Sequence, residues 1–149
     1  MFYRNLNDNS LAFFNGVPDE NWVLASESEI IAYELSQAKI AKIAEVKSAR
    51  EIFQYANLTV GGYEFTATKS AKLLFFSKVN SLASTDYPID WRLADNISWV
   101  SLSKTETSAL KKAMETQETS AFKQESVFYD AINKASSIEE LAAINIKFE

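Results

Sequence analysis

The chain has 149 residues, 47% of them apolar, and a net charge of -5 at pH 7, which suits one domain with a real core or a small domain with an appended module. It contains neither cysteine nor histidine, so disulfides, thiolate sites and the usual triad base and zinc ligand are excluded. Catalysis would rest on carboxylates, lysines or tyrosines alone, and the expectation is a binding protein, not an enzyme, with no cofactor and no metal.

The opening residues predict a β-hairpin module over 1–25. Phe2–Leu6 and Leu11–Phe14 read as short strands around the turn formers Asn7-Asp8-Asn9-Ser10, and Asn15-Gly16 closes them. Val17-Pro18 leaves the hairpin in extended form. Two strands cannot bury Phe2, Tyr3, Phe13, Phe14 and Trp22 by themselves. Tyr3, Phe13, Phe14, Val17, Pro18 and Trp22 are therefore the candidate partner-binding residues, with packing against the following helix as the competing account.

A long linking helix is expected over 26–57. Ser26 and Glu29 have capping-box spacing, and no Gly or Pro follows until Gly61. At about 1.5 Å per residue such a helix is roughly 45 Å long. Its apolar positions shift along its length, a pattern expected of a connector or of a homo-oligomer seam. The acids among Lys39, Lys42, Lys47 and Arg50 fit a solvated helix face.

A compact α+β domain is expected over 58–149. Leu58-Thr59-Val60 and Tyr63-Glu64-Phe65-Thr66 flank Gly61-Gly62, a hairpin signal because primed turns need positive φ. Thr68 or Ser70 opens a helix to about Leu82, with Leu73, Leu74, Phe76 and Val79 as its apolar material. Extended pieces Ile89–Trp91 and Ile97–Leu102 meet at an Asp95-Asn96 turn. Ser103 with Glu106 caps a helix through Leu110 and Met114, running on or bending through Phe122, Val127, Phe128 and Ile132. Ser136 or Ser137 with Glu140 starts a last short helix ending near Ile144.

Few constellations suggest chemistry. Gly61-Gly62 lacks phosphate-loop spacing, and Asp86, Asp90 and Asp95 lack the calcium-loop pattern. Trp91, Asp95 and Asn96 form a second candidate surface, where tryptophans beside a turn suit a stacked sugar. No basic stripe for nucleic acid and no apolar run near the ~20 residues of a membrane span is present. The start Met1–Asn5 lacks a secretion signal, so the expected compartment is a cytoplasm, with neither nucleic acid nor membrane as partner.

An ordered series of motifs follows. It comprises Ala49-Arg50, Val60–Phe65, Thr68 and Ser70, Trp91 with Asp95-Asn96, Val100–Ser103 with Glu106, and Ser136–Leu141. From about Glu45 to Ile146 the chain resembles a domain of uncharacterised function in tailed-phage and prophage proteins, many of them tail-fibre assembly proteins. Its start resembles the small N-terminal module of the same proteins, through Phe2–Gly16, Pro18, Trp22 and Ser26–Glu29. The resemblance implies a chaperone that binds a phage tail-fibre protein at its C-terminal tip and assists folding or trimerisation. Its place would be the host bacterial cytoplasm, or the tail tip of the virion if retained there. A structural tail component and a carbohydrate-binding module are the alternative readings.

Overall fold

The computed structural model describes all residues, Met1–Glu149, and shows an α+β fold. Strands β1 (Phe2–Asn5), β2 (Leu11–Phe13) and β3 (Trp22–Leu24) precede helix α1 (Glu27–Gln54). Strands β4 (Leu58–Val60) and β5 (Tyr63–Phe65), helix α2 (Lys69–Asn80), and strands β6 (Ile89–Arg92) and β7 (Trp99–Leu102) follow. Helices α3 (Lys104–Lys134) and α4 (Ile138–Ala142) complete the chain. No helix is long and apolar enough to cross a membrane.

The chain divides into two compact units, Met1–Ala44 with Asp130–Asn145 and Glu45–Tyr129 with Ile146–Glu149. In the first unit the sheet has the order β2-β1-β3, all antiparallel. The expected two-stranded hairpin thus gains a third strand. Asp19 turns the chain back, its carboxylate accepting from Asn21 N at 2.9 Å and its carbonyl from Trp22 N at 3.1 Å. Trp22–Leu24 then pairs with Asn5–Tyr3. Ser26 caps α1 in a reciprocal box with Glu29, whose other oxygen lies 2.9 Å from Arg4 Nε. Ile132, Ala135 and Leu141 are buried in this unit's helical part.

The second unit holds the main core, Phe65, Phe75, Ile89, Leu102, Leu110 and Met114. Gly61 and Gly62, with φ of 60° and 84°, turn β4 into β5. Thr68 caps α2 by accepting from Ala71 N at 3.3 Å. The buried face of α2 is Lys72, Phe75, Phe76 and Val79, spaced by three and four residues, as one helix face requires. Leu73 and Leu74 fall off that face and are exposed, contrary to the sequence expectation for both. A run of four apolar residues cannot all face one side of a helix.

Ser103 and Glu106 cap α3, Glu106 N donating to Ser103 Oγ at 3.3 Å and Ser103 N to Glu106 Oε2 at 2.8 Å. Helix α3 runs unbroken for 31 residues. Within this unit its buried residues Thr107, Leu110, Met114, Gln117 and Ala121 recur at alternating steps of three and four. The stripe therefore passes beside Phe122 and Val127, which are exposed, and not through them.

Candidate functional site

Two surfaces carry the residues singled out by sequence, one in each unit. In the first unit, strand alternation places Phe2, Phe13 and Val23 on one face of the sheet and Tyr3, Ala12 and Leu24 on the other. Phe2 lies edge-on to Phe13 at 5.5 Å between ring centroids and reaches Tyr33 of α1 at 5.7 Å, so this is the helix-facing side. On the opposite side Tyr3 meets Phe14 at 5.9 Å, and Phe14 meets Trp22 at 4.9 Å. Tyr3 is buried; Phe14, Pro18 and Trp22 are half-buried. These four therefore build the surface; Val17 (89% exposed) lies in the loop between β2 and β3, and Phe13 (62%) is exposed on the other, helix-facing side.

Leu24 is also exposed, beside the aromatic trio, and sequence reasoning missed it. The signal was the alternation of Trp22-Val23-Leu24, had that segment been read as a strand. Both outer strands, β2 and β3, have one neighbour each. Their other edges present unpaired backbone groups, the usual template for pairing with another chain.

In the second unit a groove of about 480 Å³ runs along β6. Trp91, Trp99 and Leu74 supply its apolar lining, and Thr66, Ser70, Asp90, Arg92 and Asn96 its polar groups. Trp91 is half-buried and stands edge-to-face on core residue Phe75 at 5.1 Å. Asn96 holds φ of 62° in the β6–β7 turn and lines the groove. Asp95 is engaged otherwise: its Oδ1 accepts from Ile97 N and Ser98 N at 2.9 and 2.8 Å, and Oδ2 from Ser98 Oγ at 2.5 Å. Those bonds, from the Ser98 hydroxyl first, hold its carboxyl below the usual range. Its chemistry is to close the turn. Trp91 and Asn96 remain available to a ligand, and Trp99, Leu74 and Arg92 join them.

A polar cluster joins α1, α2 and α3 inside the second unit, and it too escaped the sequence. Arg50 Nε pairs with Glu125 Oε1 at 3.0 Å, both side chains being more than four-fifths buried. Its guanidinium covers the Phe122 ring at 4.9 Å and also donates to Gln54. Gln54 passes the chain on to Glu118 Oε1 at 3.2 Å, and Tyr129 OH donates to Glu125 at 2.9 Å. Burial, then that bond, pushes the Tyr129 phenol up. Lys72 Nζ caps the end of α1 through Gln54 O at 2.8 Å, and burial lowers its ammonium pKa despite Glu118. Gln117 Nε2 bonds the carbonyls of Phe53 and Ala56, both at 3.0 Å. Every charged member has a structural partner here, and the cluster ties α1 and α2 to each other and α1 to α3. No group of three or more acids converges in a way that could hold a metal ion.

Residues 37–147 match the family described as a domain of unknown function, DUF4376, and the chain belongs to that family. The match begins within α1 and leaves the β1–β3 sheet outside it. No curated protein and no solved structure matches the chain.

Proposed function

We propose that this chain is an assembly chaperone that holds a tail-fibre protein of a tailed phage or prophage through the aromatic sheet of its first unit. The observation that carries the reading is a three-stranded sheet with two open edges and exposed apolar residues on both faces, Phe13 on the helix-facing one and Leu24 beside the half-buried Phe14–Trp22 pair on the other, with Val17 exposed between β2 and β3. Scattered exposed apolar residues are ordinary, but apolar residues beside unpaired strand edges form an adhesive surface. A fibre chain before trimerisation exposes the same two things, apolar patches and strand edges, so a temporary cover prevents misassociation. The ordered motif series from Ala49 to Leu141 is the second support, through its likeness to phage assembly proteins.

Co-expression with a fibre protein encoded beside this chain tests the reading. Phe13→Ala, Val17→Ala and Leu24→Ala together should abolish co-purification of the fibre while leaving the thermal transition of the protein in place. Undiminished co-purification with the triple variant would put the contact elsewhere.

A further inference from the structure

Strand β6 pairs with β7 along one side only. Leu93 N donates to Ser98 O at 2.9 Å, which by antiparallel alternation turns the backbone groups of Leu93, Trp91 and Ile89 toward β7. Asp90 and Arg92 then direct their N–H and C=O groups to the opposite side. That side is already a pairing edge one step further on, where Ala94 N donates to Glu64 O of β5 at 2.9 Å. Strand β5 ends at Phe65, and no further backbone bond joins it to β6. The edge of Asp90 and Arg92 is left open along the groove. One wall is thus a strand edge and the other is the start of α2 with Ala71 and Leu74.

We propose that this groove binds an extended peptide segment of a partner protein, which adds to β6 as a third strand. Free donor and acceptor groups recurring every second residue, roughly 6.6 Å apart, match the repeat of another strand. A sugar would use the Trp91 and Trp99 rings but has no such repeat. The side chains of Asp90 and Arg92 share one face of β6, are exposed, and make no hydrogen bond or ion pair within the chain. A segment with a basic residue opposite Asp90, an acidic one opposite Arg92 and apolar residues between them, reaching Trp91 and Leu74, is therefore the fitting occupant. This site lies in the second unit and does not depend on the sheet of the first.

Selection of short peptides with alternating apolar and charged residues against the full-length protein, followed by calorimetric titration of the best binder, tests it. Methylating the peptide nitrogen that faces the edge should weaken binding about tenfold, and methylating its neighbour should not. Arg92→Pro removes the outward N–H where an edge strand tolerates proline, and should also weaken binding about tenfold, while Arg92→Ala stays within about threefold. If Arg92→Pro lowers the thermal transition, the methylated peptides and the amide shifts of Asp90 and Arg92 in the wild type decide. The proposal is overturned if no peptide is selected, or if binders ignore backbone methylation. It is equally overturned if a glycan binds and is lost in Trp99→Ala, which would make the groove a sugar site.

Discussion

Gly61 and Gly62 occupy the left-handed region, and a Cβ added at either would meet nothing within 4 Å. The cost of a side chain there is therefore conformational and not steric. Gly62→Ala should destabilise the protein by about 1–2 kcal/mol, measured by urea unfolding. Gly16 also has open space around it but no such backbone requirement, so Gly16→Ala should be neutral or stabilising by about 0.5 kcal/mol. Equal effects at the two positions would mean that the turn does not need its glycines. At this scale the sequence was highly legible, because turn chemistry is local. Gly61-Gly62 and Asp95-Asn96 could be read from two or three residues each. Tyr3 and Asp95 show the limit: their types suggest contact with a partner, but burial in one case and a closed Asx turn in the other engage them internally.

Helix starts were legible for the same local reason, since Ser26/Glu29 and Ser103/Glu106 form the reciprocal bonds their spacing implies, and Ser137 Oγ accepts from Glu140 N while the Glu140 carboxylate accepts from Ser136. Glu29, Glu106 and Glu140 accept backbone and hydroxyl hydrogens of Ser26, Ser103 and Ser136, and these bonds hold all three carboxyls below the ordinary glutamate value. A depressed folded-state pKa means that the stabilisation is present above the unfolded value, about 4.3, and is lost as pH falls through the folded values. Helical signal at 222 nm should therefore persist at pH 5 and weaken below about pH 4. Replacing the three with Gln should flatten that dependence, and an unchanged acid profile would remove the caps as its cause.

Helix-to-helix contacts were not legible, because they pair residues far apart in the chain. Arg50 looked like one charge of a solvated face until Glu125, 75 positions later, was placed beside it. Arg50 keeps Glu51 at 3.4 Å and Gln54 when Glu125 is removed but loses its more buried partner, so Glu125→Ala should cost about 1–3 kcal/mol. In Arg50→Leu/Glu125→Leu the loss should fall short of the summed single losses by about 1–3 kcal/mol, which a double-mutant cycle by urea unfolding reads directly. Simple additivity would mean that the two side chains do not depend on each other.

At the scale of the whole chain, the fold class and the order of elements followed from the sequence, while the third strand Trp22–Leu24 and the groove beside β6 did not. Both depend on which edges remain unpaired after folding, a property of the assembled sheets that no single segment displays. The two surfaces sit in different compact units, so their functions should separate in variants. The Phe13, Val17 and Leu24 triple variant should lose the fibre and keep any peptide bound at β6, and Arg92→Pro should do the reverse. Loss of both activities in either variant, with the thermal transition unchanged, would mean one shared site. A holding role also sets a stoichiometry. A chaperone that lets go of its fibre should be absent from purified particles, or far below the fibre's copy number by quantitative mass spectrometry. Recovery at a fixed ratio to the fibre trimer would instead make the chain a structural part of the tail, with its open-edged sheet as the permanent joint.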